Sequence, residues 1–462
     1  MANPLLVPEL RELLDQDDLA TIRSAFEDSP PAMIAELLGG LDPDEIVRAL
    51  GALDFQARAD VFSHLDLPLQ VDLVEGQGRQ SMAHLLEEMS PDDRAELVRA
   101  LPEHVQGELL PLLAQAERAD IRRLVAYPED SVGAVMTTDY ATMPEDFTVG
   151  EALENLRKVA PDRETIYYVY VVDAERRPKG VISLKTLILA KPGRRIADLM
   201  VPEVIRVKAD DDRETVAREI EKYDWLAMPV VDDAGRLVGL VTVDDVIDVI
   251  EDEADEDIYA LGAAGKPLDY LQTNPFRMAG QRLPWLLLLV LVGFISATIL
   301  ERFTGFLAGM GTTTTVLILS FLPLLLGSGG NAGCQTTTVV VRGLATGDLV
   351  PRDVLRILRK ELAVALLVGV SLAVLAAGRA LIMGQASHVG HAAQLALTVA
   401  LAMMATVVIA KGLGGMLPLL MQKVGLDPAL MSAPLITTIL DVVTLTVYLV
   451  LAMAIMTASA GS

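Results

Sequence analysis

Five stretches almost empty of charge fill the second half of this 462-residue chain. Residues 283–300, 303–341 and 362–378 carry no charged side chain, 380–410 has only histidines as ionisable groups, and 433–456 holds a single charge, Asp441. A helix that crosses a bilayer needs about 20 apolar residues, so these stretches predict five transmembrane helices, the second lying within the long glycine-containing run. Backbone polar groups in lipid must be satisfied within the segment, which excludes an open β structure here.

Basic residues set the orientation. Arg342, Arg352, Arg356, Arg359 and Lys360 lie between the second and third stretches and Lys423 between the fourth and fifth, against Arg302 and Arg379 in the opposite loops. The positive-inside rule then puts the N-terminus in the cytosol and the C-terminus outside, in a multi-pass protein of the plasma (inner) membrane. The opening residues lack a basic segment and a long apolar core, so no secretory signal is expected.

Charge divides the chain in the same place. From Leu283 onward there are 6 acidic and 9 basic residues, against 57 and 29 before it, so a formal −28 sits on the first part and +3 on the second. Such an excess of like charge disfavours a compact state unless cations neutralise it. It also excludes nucleic acid as a partner. The lone cysteine, Cys334, provides no disulfide framework and has no paired histidine nearby in sequence. His388 and His391 read as loop or interface residues, and an enzyme is not expected.

Residues 1–130 read as short amphipathic helices in a repeated pattern, an acidic helical domain. Leu41-Asp42-Pro43-Asp44-Glu45 recurs loosely as Met89-Ser90-Pro91-Asp92-Asp93. In each, Asp42 or Ser90 is placed to cap a helix and the proline suits its first position, so stacked helix pairs in a superhelix are expected.

A sharper repeat follows. Val171-Val172-Asp173 and Val230-Val231-Asp232 are each followed by a Gly strand, Gly180-Val181-Ile182-Ser183 and Gly239-Leu240-Val241-Thr242, with a period of 59 residues. Each copy reads strand, turn, strand, helix, so residues 131–192 and 193–252 form two α/β domains. These copies resemble a tandem pair of CBS domains, which implies a regulatory module for adenine nucleotides or ions. In that family a Thr-x-x-Asp after the Gly strand can hold a ribose. Thr242 and Asp245 match it, whereas the first copy has Ser183 and Thr186, so the resemblance allows one nucleotide site, for ATP for example. That Asp245 only starts a helix stays open. Residues 253–282 read as an acidic linker ending in a short interfacial helix over 267–282, and 283–462 as the transmembrane domain.

Asp441 lies about eight residues inside the last stretch, and a carboxylate at that depth is expensive unless it faces a pore or a partner. Pro434, Thr437 and Thr438 mostly share its helical face and add oxygen acceptors, with Pro434 expected to free carbonyls. Asn331 and Gln335, one turn apart in the glycine-rich second span, would be costly facing lipid and read as pore lining. The alternative is a structural Asp441 paired with Lys411 of the neighbouring span.

Gly329-Gly330-Asn331-Ala332-Gly333-Cys334-Gln335, Arg342 to Asp348, Leu417-Pro418, Asp427-Pro428-Ala429 and Pro434 to Asp441 resemble the MgtE family of magnesium channels. The resemblance spans the whole chain, since that family joins a helical N domain, tandem CBS domains and five spans. It implies a homodimer in a lipid bilayer that imports Mg²⁺, with Asp441 as the pore carboxylate. Regulatory Mg²⁺ would bind at Asp92 and Glu96, Asp245 and Asp248, and Glu253, Glu256 and Asp257, closing the pore when cytosolic Mg²⁺ is high. Two positions depart from the family pattern: Thr444, expected to narrow the pore, and Lys411, whose ammonium would repel divalent ions if it faced the pore. Rival expectations are transport of Co²⁺ or Mn²⁺, exchange coupled to Na⁺ or H⁺, and a membrane-anchored CBS sensor without transport.

Overall fold

A computed structural model describes the backbone of residues 6–460 except 28, 269, 271, 272 and 388–390. The chain divides into two compact units, 1–251 and 252–462. His388 lies outside the described residues, and His391 directly precedes the fourth-span helix.

Short helices fill the first unit from Leu6 to Val125. Pro31–Leu38 packs on Phe55–Ser63, that helix on Arg79–Glu88, and that one on Glu103–Leu109, so each helix meets the one two places further on. This is the staircase expected of stacked helix pairs. Ile22, Leu38, Ile46, Phe62, Leu86 and Leu97 are buried along its axis. At Pro43–Leu50 a capping box forms, closed by the Asp42 N–H donating to Glu45 Oε2 at 3.0 Å. At Pro91–Ala100 the Ser90 side chain makes no such cap.

Two three-stranded sheets follow, in orders β1-β2-β3 and β4-β5-β6. Their strands are Tyr140–Met143, Thr165–Val172 and Pro178–Ser183, then Val207–Lys208, Ala227–Val231 and Leu237–Thr242. In each sheet the first pair is parallel and the second antiparallel, and Val171↔Gly180 is reproduced as Val230↔Gly239. The 59-residue repeat is therefore a repeat of register.

The halves exchange their leading segments. Thr137 N–H donates to Leu240 O at 2.8 Å and Val181 N–H to Val201 O at 3.0 Å, so the segment ahead of each copy pairs with the third strand of the other. This arrangement explains both motif glycines. A Cβ on Gly180 would stand 2.6 Å from Met200 Sδ, and one on Gly239 2.7 Å from Met136 Sδ.

The acidic run at 251–257 continues the helix Val243–Leu261 rather than forming a separate linker. Among the described residues the interfacial helix expected over 267–282 is helical from Pro275, and there it is the beginning of the continuous helix Pro275–Arg302.

Five helical stretches among the described residues are long and apolar enough to cross a membrane. Their principal helices are Pro275–Arg302, Leu322–Ala345, Val354–Ala386, Ala392–Val424 and Ala433–Ala460, spans one to five. The second span is preceded by two short helices, Thr304–Gly309 and Thr312–Ser320. It packs between the fourth and fifth spans, and glycine makes the approach close. A Cβ on Gly333 would lie 2.1 Å from Leu440 Cδ1, and one on Gly414 only 2.5 Å from Gly333 O. The second obstacle is backbone and cannot rotate away. Gly414→Ala is therefore expected to destabilise the membrane unit by at least about 2 kcal/mol, read as a lower melting temperature in detergent.

Candidate functional site

In the first unit a cleft of about 1210 Å³ is lined, among the described residues, by thirteen carboxylates against two arginines. The helix Pro91–Ala100 brings Asp92 and Asp93, the residue just before β2 is Glu164, and the helix Val243–Leu261 brings Asp244, Asp245 and Asp248. Asp92 is buried, 8% exposed, and its Oδ1 has no hydrogen-bond partner among the described residues. Glu117 Oε2, in the same lining, is likewise buried and unpartnered. Buried acceptors without donors are rare, and two in one acidic cleft mark a place built for positive charge.

Burial and mutual repulsion show in the proton affinities. Asp92 is held well above the usual carboxylate range by burial and then by the charges of Asp245, Asp93 and Glu164, partly offset by the Ser90 hydroxyl. Burial, with Asp244, Asp93 and Asp139 nearby, raises Glu164 to about 7. Burial also raises Asp245 to about 7, against the lowering hydrogen bond from Thr242.

An acid whose folded pKa is raised keeps its proton in the folded state at pH values where the unfolded chain has lost it. Stability therefore falls as pH rises through the window from about 4 to about 7. With divalent cations chelated, the cytosolic melting transition of the full chain is expected about 5 °C higher at pH 5.5 than at pH 7.5. Differential scanning calorimetry in detergent measures it, and a transition that rises with pH across that window would contradict the cluster.

Of the cytosolic positions singled out in the sequence, the cleft gathers Asp92, Asp245 and Asp248. Glu96 is exposed and does not line it, nor do Glu253, Glu256 and Asp257, which lie further along the helix Val243–Leu261. The missed members are Asp93, Asp244 and Glu164, and only proximity to a singled-out aspartate hinted at the first two. Among the described residues no three His, Cys, Asp or Glu side chains stand close enough to hold a metal directly. The donor set fits a cation that keeps part of its water shell, as Mg²⁺ does when one or two carboxylates bind it.

Thr242 is buried, and its hydroxyl donates to the Asp245 carboxylate, which the Thr242 N–H also approaches at 3.4 Å. Asp245 thus starts its helix and lines the cleft at once. In the first copy Ser183 caps Thr186 N–H at 3.1 Å.

In the membrane unit Asp441 is half-buried. Among the described residues its carboxylate forms no hydrogen bond or ion pair. The alternative pairing with Lys411 is not made, because Lys411 Nζ lies 3.3 Å from Glu361 Oε2 of the third span. Pro434 frees no carbonyl: it is the second residue of its helix, where the missing N–H would have no partner anyway. Its own carbonyl accepts the hydroxyls of Thr437 at 2.9 Å and Thr438 at 2.7 Å. Thr444 is buried against Gly329, its hydroxyl oxygen 2.9 Å from where a Cβ would stand, so it fills a helix contact.

Gly327, Asn331, Gln335, Thr338 and Arg342 are exposed along one face of the second span. An exposed row of amides and hydroxyls is unsuited to lipid, so this face needs water or a protein partner.

A polytopic helical unit whose last span carries a carboxylate without an ion pair among the described residues, in one chain with a CBS pair and an acidic helical domain, defines a cation transporter. Residues 322–451 match the divalent cation transporter family MgtE, 29–130 its intracellular N domain, and 132–193 and 196–252 the CBS domain. The chain is 44% identical over 342 residues to a magnesium transporter MgtE of Thermus thermophilus, covering 74% of this chain and 73% of that one. It is 36% identical to that of Bacillus subtilis, over 75% of this chain and 74% of that one. A crystal structure of the cytosolic domain of the Mg²⁺ channel MgtE in complex with ATP aligns with TM-score 0.50 and 40% identity, over 53% of this chain and 99% of that one. The soluble part of a magnesium transporter aligns with TM-score 0.52 and 35% identity, over 54% and 98%. The chain belongs to the MgtE family, whose members are transporters rather than enzymes.

Proposed function

We propose that this chain is a Mg²⁺ import channel of the plasma membrane, working as a homodimer and closed by cytosolic Mg²⁺. The observation that carries the reading is Asp441, a half-buried carboxylate in an apolar span with no partner among the described residues. A charge so placed is expensive unless water or a cation compensates it. Two copies across a two-fold axis would balance one divalent ion. The exposed polar face of Asn331 and Gln335 gives such a dimer something to cover, and Thr437 and Thr438 keep oxygen lone pairs beside the route. The loops rich in arginine face the cytosol, and so does the N-terminus.

Regulation rests on the acidic cleft. Low Mg²⁺ leaves its carboxylates repelling one another, and high Mg²⁺ bridges them, which gives the ion the differential affinity for two states that gating requires. Asp92, Asp245 and Asp248 hold the ion there, with Asp93, Asp244 and Glu164 adding charge. The helix Val243–Leu261 starts at this cleft and carries the run at 251–257 beyond it, so it is the natural transmitter. Glu96, Glu253, Glu256 and Asp257 would serve separate, more exposed ions. An adenine nucleotide is a second ligand for the CBS pair, supported by the ATP complex of the 40% identical cytosolic domain. With the Thr242 hydroxyl engaged, a ribose there would meet Asp245.

Purified protein in liposomes loaded with a Mg²⁺-sensitive dye tests the reading. Uptake is expected without a Na⁺ or pH gradient, to fall when internal Mg²⁺ is raised, and to exceed that of Co²⁺ and Mn²⁺. Flux that requires a Na⁺ or proton gradient would make it an exchanger, and no flux would leave a membrane-anchored sensor.

A further inference from the structure

Lys411 sits within the fourth span with its side chain 8% exposed, and Glu361 of the third span, 18% exposed, faces it at 3.3 Å. Thr336 of the second span joins both, its hydroxyl donating to Glu361 Oε2 at 2.8 Å and accepting from Lys411 Nζ at 3.2 Å. Three spans therefore meet at one buried ion pair. Desolvation makes a buried pair a weak source of stability, so its presence inside a membrane unit calls for another reason.

Depth supplies that reason. The built Cβ of Gly333 approaches Leu440 Cδ1 at 2.1 Å and Ala410 O at 3.4 Å. Leu440 directly precedes Asp441 and Ala410 directly precedes Lys411, so the two charges lie at one level of the membrane unit. In a medium of low dielectric an uncompensated ammonium at that level acts over many ångströms, and twice as strongly on a divalent as on a monovalent ion.

We propose that Glu361 is a positioning residue for permeation: with Thr336 it draws the Lys411 ammonium toward the third span and cancels its charge, so that a divalent cation can reach Asp441. This rests on the pore reading of Asp441. It assigns Lys411 and Glu361 roles that differ in sign, which a packing role does not.

The test measures Mg²⁺ and K⁺ uptake by the full chain in liposomes for E361Q, K411M and E361Q/K411M, with D441A in parallel. E361Q is expected to lower Mg²⁺ uptake about tenfold or more and K⁺ leak much less. K411M is expected to lower the half-saturating Mg²⁺ concentration, since Glu361 then stands uncompensated. The double variant should return to within about twofold of the parent. Should E361Q fail to fold, K411M still reads the sign through its half-saturation. E361Q and K411M that shift Mg²⁺ uptake in the same direction, an E361Q loss equal for Mg²⁺ and K⁺, or a double variant no better than E361Q, would overturn the proposal. Retained uptake in D441A would instead sink the pore reading beneath it.

Discussion

Replacing Asp441 by alanine is expected to reduce Mg²⁺ uptake at least about a hundredfold while the protein still elutes and melts as the parent does. A divalent ion entering an apolar span gives up much of its hydration, and the carboxylate is what compensates it there. Because Asp441 has no ion pair or hydrogen bond among the described residues, its removal breaks no polar interaction there. Loss of flux without loss of fold would thus isolate a conduction role. Asp441→Glu should retain part of the flux because it keeps the charge. Flux from Asp441→Ala equal to the parent's would remove this residue from the route.

The second large effect lies in the acidic cleft. Asp92→Asn/Asp245→Asn removes two of thirteen carboxylates, including the most deeply buried one. Two consequences of opposite kind follow from the same electrostatics. Without divalent ions the double variant should melt higher than the parent, because burial and repulsion that now oppose folding are relieved. Its half-inhibitory internal Mg²⁺ should rise about tenfold or more, because the ion loses its charge partners. Protection of the segment after Leu261 from protease should require correspondingly more Mg²⁺. Glu96→Gln, exposed and outside the cleft lining, is expected to leave inhibition at this cleft unchanged. A double variant that is less stable, or inhibited at the parent's Mg²⁺ concentration, would dissociate the cleft from sensing.

Much of this architecture was legible in the chain because the signals are local. Charge-free runs of helical length announce spans whatever surrounds them, and a 59-residue repeat of β-branched strands fixes two sheets of the same register. Asp441 stood out for the same reason, as one charge inside an apolar run. The helix boundaries around 251–282 were less legible, since a run of six acids in seven residues resembles a solvated linker. The structure carries that run as a helix because the buried Val246 and Val249 anchor its first turns in the second CBS half. Acidic positions were the hardest to choose among, because 57 carboxylates precede Leu283 and nothing in their spacing says which converge.

Sequence alone therefore determined the spans, the duplicated strands, the excess of negative charge and the solitary carboxylate in the last span. Tertiary structure decided the partners: that Lys411 answers Glu361 fifty positions away, that Thr444 fills the space Gly329 leaves, and that Asp92, Glu164 and Asp245 crowd one cleft. Apolarity and periodicity are properties of neighbouring residues, whereas compensation of a buried charge depends on which distant side chain the fold brings within a few ångströms.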